Sequence, residues 1–168
     1  NPLAWMEVQD DDATSHISTY ARLTFNLLEG LKLNLFGAYT YNIVENSQYL
    51  PTSVWANGQA YKGTKKRESL LGNMMLTYKK NWKKHFFDVL ALAELQKETY
   101  TGYYTTVSNF STDKFGYNNL QAGALRLWEG TNSYYDQPRL ASFMGRFNYT
   151  YADRYVLTLN ARTDASSK

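Results

Sequence analysis

Cysteine is absent from this chain of 168 residues, and histidine, proline and glycine are scarce at 2, 3 and 10 residues. Without cysteine, the chain has no disulfide framework and no thiolate metal or redox site. It also lacks any apolar run of roughly 18 residues, the minimum for a membrane-spanning helix. The formal net charge is only +3, from 18 basic and 15 acidic residues, which does not indicate a nucleic-acid surface.

Catalytic signatures are missing as well. The sequence contains no G-x-S-x-G elbow, no H-E-x-x-H motif, no phosphate-binding G-x-x-x-x-G-K-[ST] loop and no G-x-G-x-x-G motif. His16 and His85 are far apart in sequence, and the acidic run at residues 10–12 lacks the glycine and the acidic spacing of a calcium loop. We therefore expect a protein that is not an enzyme and that has no cofactor or metal.

Aromatic residues are abundant: 15 Tyr, 8 Phe and 4 Trp make up 16% of the chain, which excludes intrinsic disorder. The hydrophobic pattern has a period of two. From Ile17 to Leu27 the odd positions are mostly apolar and the even positions mostly polar. A helix would spread these apolar side chains around its whole circumference, so the pattern predicts a strand.

Glu29-Gly30 follows this strand, and the alternation then resumes at Leu31. Placing Leu27 opposite Leu31 keeps both apolar rows on one face and requires a three-residue loop with Gly30 in the left-handed conformation. The same alternation predicts five further strands: Leu31 to Ile43, Glu68 to Lys79, Phe86 to Gln96, Ala141 to Tyr151 and Tyr155 to Asp164.

Connections of two kinds join these strands. Short turns are predicted near 28–30, 80–84 and 152–154, and long polar and aromatic loops at 45–66 and 97–138. The fold prediction is an all-β antiparallel meander of about six long strands. The first strand would extend roughly 36 Å at about 3.3 Å per residue, which suits a tilted strand crossing an outer membrane better than a soluble sandwich strand of about five to six residues.

Aromatic side chains lie near both ends of the predicted strands, as interfacial girdles require. Those near the short turns are Tyr78, Trp82, Tyr149, Tyr151 and Tyr155, and those near the long loops are Tyr39 and Tyr41. Outer-membrane barrels have at least eight strands, so six strands predict that residues 1–168 are one segment of a larger transmembrane barrel.

The closing stretch from Arg139 to Lys168 resembles the SusC/RagA family of TonB-linked outer-membrane transporters. The family pattern S-x-F-G-R-x-N-Y-x-Y-x-D-R-Y-x-L-T-x-x-x-R-x-D-G-S-S is followed closely, with Ala165 in place of the usual glycine. Further stretches that look like the family are Asn1-Pro2-Leu3-Ala4, Gly30-Leu31-Lys32-Leu33 and His85-Phe86.

The resemblance implies a barrel of about 22 strands, of which this chain is a mid-barrel segment without the plug domain. It implies import of large nutrients, such as oligosaccharides or peptides, across the outer membrane of a Gram-negative bacterium. It also implies a SusD-like surface lipoprotein as a partner, and energy from TonB acting through the amino-terminal part of the transporter.

The predicted loop 97–138 supplies the candidate ligand-binding residues, because sugar rings stack on aromatic planes. These candidates are Tyr103, Tyr104, Trp128, Tyr134 and Tyr135. The alternative is that the aromatic side chains pack the loops on each other or on a partner. Two other functions stay open from the pattern alone: a soluble β-sandwich that binds carbohydrate, and a passive porin or adhesin barrel without a plug or TonB.

Overall fold

The structure is a computed structural model that describes residues 2–126 and 128–167, and its long elements are strands. These are β1 (Gln9–Leu28), β2 (Leu31–Leu50), β3 (Gln59–Trp82), β4 (His85–Phe110), β5 (Gly123–Arg126), β6 (Asn132–Asp136), β7 (Arg139–Tyr151) and β8 (Tyr155–Ser167). Short 3-10 helices occupy Pro2–Glu7, Gly116–Asn118, Leu120–Ala122 and Trp128–Gly130. None of the helices in the described ranges is long and apolar enough to cross a membrane.

All eight strands belong to one sheet. Its order is β1-β2-β3-β4-β7-β8, and the short strands β5 and β6 both pair with β4. The predicted antiparallel meander of six long strands is confirmed. A β-sandwich needs a second sheet packed on the apolar face of the first. The described residues form a single sheet, so the sandwich alternative is wrong for them.

The first hairpin has the predicted alignment. Gly30 has a φ of +80°, the left-handed conformation that the loop requires. Cross-strand side-chain hydrogen bonds join residues that are equidistant from Glu29, which places Leu27 opposite Leu31. The bonded pairs are Thr24 with Asn34 at 2.8 Å, Ser18 with Thr40 at 3.2 Å, and Asp12 with Asn46 at 2.5 Å.

The strands extend further than the hydrophobic alternation predicts. The predicted loop 45–66 shrinks to residues 51–58, and the predicted loop 97–138 shrinks to residues 111–138, which include β5 and β6. The added strand ends mix polar and apolar side chains on both faces, so no alternation marks them in the sequence. Hydrogen bonds between polar side chains span them instead, such as Gln48 Nε2 to Asp10 Oδ2 at 3.3 Å.

The predicted turn at 80–84 is also shorter than expected. Trp82 ends β3 and His85 begins β4, which leaves a two-residue link in which Lys83 has a φ of +55°. A left-handed residue in a tight turn matches the twist of the flanking strands, so the chain reverses within fewer residues than we predicted. The turn at 152–154 has the predicted length, and Tyr151 pairs with Tyr155.

One continuous register runs along β4. Each paired residue of β4 and its partner are equally far from residue 118 along the chain. This holds for the partners in β7, from Tyr151 to Arg139, and for those in β6, from Asp136 to Asn132. Between the two strands, the Glu98 N–H donates to the Pro138 carbonyl oxygen at 3.0 Å. Pro138 has no backbone N–H that could donate a hydrogen bond to β4 in turn. The ladder is therefore interrupted there, and β6 and β7 are separate strands.

The residues group into two compact units. Unit 1 comprises Asn1–Ile17, Tyr41–Arg67 and Thr99–Asp136, and unit 2 comprises Ser18–Thr40, Glu68–Glu98 and Gln137–Lys168. Each of the four long strands β1 to β4 contributes residues to both units.

The sheet of unit 2 has one apolar and one mixed polar face, and the register assigns each residue. Paired residues on neighbouring antiparallel strands lie on the same face. The apolar face carries the aligned rows Val89–Phe147–Leu159, Ala91–Gly145–Ala161 and Leu95–Ala141–Ala165. The opposite face carries Asp88–Asn148–Thr158, Leu90–Arg146–Asn160 and Glu94–Ser142–Asp164.

Side chains of the apolar face are exposed, although they are the most hydrophobic of unit 2. Leu159 is 56% exposed and Leu95 is 63% exposed. On β3, Lys79 lies 3.7 Å from Asp88 and so belongs to the polar side, which leaves the even positions from Leu70 to Tyr78 on the apolar face. An extended apolar surface of this kind requires a lipid or protein neighbour.

Aromatic rings cluster where the short turns of unit 2 meet the strands. The His85 ring stacks on Trp82 at 5.5 Å and on Tyr149 at 5.9 Å between ring centroids. Tyr151 and Tyr155 stack at 6.5 Å. This arrangement agrees with the predicted aromatic girdle at the short-turn end.

Candidate ligand-binding site

Unit 1 contains a small core that fixes the position of the long connection after β4. Tyr49, Ala60, Val107 and Phe110 are buried against each other, and Tyr117, Leu120 and Ala122 pack on them. The Tyr49 and Phe110 rings meet edge to face at 5.4 Å between centroids. The segment from residue 111 to 122 is therefore held against the strands by apolar packing.

Asp113 connects the segment 111–122 to the link between β2 and β3 through hydrogen bonds. Its carboxylate accepts hydrogen bonds from the Tyr49 hydroxyl at 2.7 Å, from the Thr52 backbone N–H at 3.0 Å and from the Thr52 hydroxyl at 2.6 Å. Burial acts to raise the pKa of Asp113, but the hydrogen bonds from Thr52 and Tyr49 hold it below its ordinary value. Burial, followed by the contact with Asp113, raises the pKa of Tyr49, so its hydroxyl stays a donor.

Replacing Asp113 with alanine is expected to loosen both segments. The Tyr49 hydroxyl, on a side chain only 1% exposed, would lose its partner, at a cost of about 1–3 kcal/mol. Hydrogen–deuterium exchange of residues 51–58 and 111–122 in the full-length protein should rise. Lys114→Ala, an exposed neighbour, is the control and should leave exchange unchanged. Equal exchange in both variants would contradict the role of Asp113.

Acid should also increase hydrogen–deuterium exchange in the native protein, because it protonates the Asp113 carboxylate. Because the pKa of Asp113 is depressed on folding, its contribution is complete above the unfolded value of about 3.9 and disappears as the pH falls through the folded pKa. Exchange at the Thr52 amide, corrected for the intrinsic rate, should therefore be constant near neutral pH and rise only in strong acid. A rise centred near pH 6 would contradict this assignment.

Four of the five predicted ligand-binding residues lie on two opposite faces of the β4–β6 ladder. Gly102 pairs with Tyr134 and Thr101 pairs with Tyr135. Because neighbouring residues of a strand point to opposite sides, Tyr134 shares a face with Tyr104. Tyr135 shares the other face with Tyr103. The structure therefore splits the predicted set into two pairs.

Tyr104 and Tyr134 belong to an aromatic platform on their face of the ladder. A side chain at Gly102 would overlap the Tyr134 ring, so only glycine allows this ring to lie across β4. The Tyr104 ring stacks on Tyr61 at 6.1 Å between centroids. On the same face the Arg67 guanidinium lies 5.7 Å from the centre of the Tyr100 ring. We call Tyr61, Tyr100, Tyr104 and Tyr134 the aromatic platform.

Tyr103 borders a polar cavity of about 310 Å³ in unit 1. Its lining includes Asp11, Glu45, Lys62 and Tyr117. The Tyr117 hydroxyl donates to Asp11, which raises the pKa of Tyr117, and Lys62 Nζ lies 5.5 Å from the centre of the Tyr117 ring. The charged groups of this cavity are largely engaged with Tyr117.

Trp128, the fifth predicted residue, lies apart from the platform. It begins the 3-10 helix Trp128–Gly130, is 91% exposed and borders a cavity of about 410 Å³ that also contacts Thr105 and Leu120. Such an exposed indole is available for a partner or a ligand. Within the described ranges, no group of three or more His, Asp or Glu side chains could hold a metal ion.

Known proteins with similar sequences are TonB-dependent receptors of Formosa agariphila. TonB-dependent receptor P3 is 28% identical over 147 residues, which is 85% of this chain and 14% of the receptor. TonB-dependent receptor P26 is 36% identical over 83 residues, which is 49% of this chain and 8% of the receptor. This chain is similar to one part of a TonB-dependent receptor. No protein-family model matches it.

Solved structures of RagAB show the same fold. A structure of the RagAB peptide transporter superimposes on 98% of this chain with a TM-score of 0.85 and 17% identity. The open-open state of the RagAB peptide importer gives a TM-score of 0.87 over 99% of the chain. The chain covers 19% of each RagAB chain. These comparisons confirm the resemblance that the closing motif indicated and the assignment to an outer-membrane β-barrel fold. The proteins compared are receptors and transporters by name.

Sequence reasoning missed two features of the site. Asp113 was not singled out, because its partners Tyr49 and Thr52 are more than sixty positions away in sequence. Gly102 carried a usable signal, since a glycine inside a strand often marks a close approach of another group. Tyr61 and Tyr100 fall in the predicted aromatic loops 45–66 and 97–138, but their membership of one face depends on strands that the alternation did not reveal.

Proposed function

We propose that this chain is a segment of an outer-membrane TonB-dependent importer of large nutrients, such as oligosaccharides or peptides, in a Gram-negative bacterium. The observation that carries the proposal is the exposed apolar face of unit 2, aligned row by row across β4, β7 and β8. Its apolar side chains would contact lipid, and the polar face would line the interior of the barrel. The similarity to TonB-dependent receptors and to RagAB supports this function.

Partners follow from the same comparison. RagAB is described as a peptide transporter, and we propose a comparable SusD-like surface lipoprotein for the full-length protein. Energy would come from TonB through the amino-terminal part of that protein. The 147 matched residues make up 14% of the receptor P3 length, so these partners are proposed for the full-length protein.

Ligand contact is proposed for the aromatic platform. The platform places four tyrosine rings, with the Arg67 guanidinium near Tyr100, on one face of the β4–β6 ladder. Ligand sites are commonly lined by aromatic side chains with a few polar groups, as this face is. Tyr103 and Tyr135 lie on the other face of the ladder. Ligand contact by Tyr135 and Trp128 stays a prediction, and the platform proposal leaves out Tyr103, which was also predicted from the sequence.

Removing a platform ring should weaken ligand binding. We expect Tyr134→Ala and Tyr104→Ala in the full-length transporter to lower affinity about tenfold each, because a buried tyrosine contact is worth more than about 1 kcal/mol. The probes are panels of labelled oligosaccharides and labelled peptides, and binding is measured by fluorescence anisotropy.

Tyr103→Ala is the matched control, since it removes the same ring from the next position of the same strand. It should change affinity by less than about twofold. Equal losses in Tyr103→Ala and Tyr104→Ala would contradict the platform. A full-length protein that is absent from the outer-membrane fraction would contradict the proposed function itself.

A further inference from the structure

A groove of about 800 Å³ crosses the apolar face of unit 2 at the end of the apolar rows. Gly37 and Gly72 contribute no side chains to it, and a side chain added at Gly72 would meet nothing within 4 Å. Leu70 and Leu95, 55% and 63% exposed, form its sides. We call this depression the rim groove. Its volume is within the range of about 300–1,000 Å³ that ligand sites occupy.

Two cationic side chains, Lys97 and Arg139, lie at one end of the rim groove. The last apolar pair, Leu95 with Ala141, is followed on the same face by Lys97 directly opposite Arg139. Like charges placed opposite each other on neighbouring strands destabilise a sheet. Among residues 2–126 and 128–167, neither cation forms an ion pair. The Arg139 guanidinium donates a hydrogen bond to Gln137 Oε1 at 2.7 Å. An anion between the two side chains would relieve this repulsion.

The apolar groove beside the two cationic side chains indicates which chemical class of anion would bind there. A free phosphate would use the two cations but not the apolar groove beside them, whereas a neutral lipid would use the groove and leave the cations unmatched. An anionic phospholipid matches both, with its acyl chain along Gly37, Gly72, Leu70 and Leu95 and its phosphate between Lys97 and Arg139. Arginine and lysine are the side chains that bind phosphate most effectively.

We propose that the rim groove is a binding site for an anionic membrane lipid whose headgroup carries phosphate and no compensating cation. This inference rests on the proposed function, because it requires the apolar face to lie in the outer membrane. It adds a specific headgroup contact to what would otherwise be a uniform lipid-facing surface. The lipid would also hold β4 and β7 together where their two cations repel each other.

Native mass spectrometry of the full-length transporter can test the headgroup contact. The wild-type protein should retain phosphatidylglycerol over phosphatidylcholine of the same acyl chains. The double variant Lys97→Gln/Arg139→Gln should lose that preference, with retention falling at least about tenfold, since it removes two charge-assisted contacts. The control Lys80→Gln/Lys84→Gln removes the same charge near the β3–β4 turn and should behave as wild type.

Filling the groove tests the acyl-chain contact separately. Gly72→Leu should displace the acyl chain and lower phosphatidylglycerol retention, although both cations remain. Gly145→Leu is the matched control, because Gly145 is another apolar-face glycine with open space around it, beside a cavity of about 430 Å³ that does not include the two cations. Gly145→Leu should leave the lipid preference intact.

Three results with the variants or with competing phosphate would overturn the inference. They are an unchanged lipid preference in the Lys97/Arg139 variant, equal effects of Gly72→Leu and Gly145→Leu, and displacement of the lipid by inorganic phosphate alone at low millimolar concentration. The last result would identify a phosphate site without an acyl-chain contact. A wild-type protein that assembles in the outer membrane and imports nutrient but shows none of this preference would contradict the rim groove and leave the proposed function standing.

Discussion

Replacing Leu159 with arginine is expected to prevent most of the full-length protein from assembling in the outer membrane. Leu159 lies opposite Phe147 in the register of the apolar face and is 56% exposed. Arginine on the lipid-facing side of a barrel costs about 2–4 kcal/mol near the bilayer midplane. A loss of that size shifts an equilibrium by roughly thirtyfold or more. The measurement is the folded fraction in outer-membrane preparations, from heat-dependent migration on gels.

The neighbouring position is the matched control. Thr158 pairs with Asn148 on the polar face, in the row that also carries Asp88. Thr158→Arg should therefore change the folded fraction little, because a face that lines a water-filled interior tolerates charge. If the two variants assembled equally well, the assignment of the apolar face to lipid would be contradicted.

Replacing Gly30 with valine is expected to disrupt the first hairpin. Gly30 has a φ of +80°, which β-branched residues strongly avoid. Its side chain would also overlap the carbonyl oxygen of Lys79, and the Lys79 N–H donates to the Gly30 carbonyl oxygen at 2.8 Å. Backbone strain alone costs about 1–3 kcal/mol, and the overlap with another backbone adds to it.

Protease sensitivity of the β1–β2 hairpin in the assembled protein measures this loss, together with the folded fraction. Glu29→Val is the control, since Glu29 is the adjacent exposed turn residue and its φ is not positive. We expect Glu29→Val to stay close to wild type. Gly30→Ala should fall between the two, because alanine is strained at positive φ but is not β-branched. A Gly30→Val protein as resistant as Glu29→Val would show that the turn does not need glycine.

Hydrophobic alternation predicted the central part of every long strand, because one face of the sheet is apolar there. Leu27 and Leu31 are opposite each other as expected, and Tyr151 pairs with Tyr155. The alternation stopped where both faces became mixed, so the outer parts of β2 to β4 were assigned to loops and residues 9–16 of β1 were not predicted as strand. Hydrogen bonds between side chains such as Asp12 and Asn46 span those parts and leave no periodic signal.

The candidate site was predictable by composition but not by arrangement. The tyrosines of the predicted loop 97–138 were predicted as one group, yet Tyr103 and Tyr104 lie on opposite faces of β4. That distinction requires knowing that the segment is a strand and which residues pair with it. The Asp113 contacts with Tyr49 and Thr52 link distant parts of the chain, and no local pattern encodes them.

The sequence alone determined the all-β fold class and the face on which each central strand residue lies. The deciding features were the scarcity of cysteine, histidine and long apolar runs, together with a hydrophobic period of two. These properties are local, since side-chain alternation is inherent in an extended backbone. Only the tertiary structure decided which residues meet: the platform over Gly102, the carboxylate of Asp113, and the facing cations Lys97 and Arg139. These contacts depend on the register between strands, which is set jointly by turns, backbone pairing and long-range side-chain contacts.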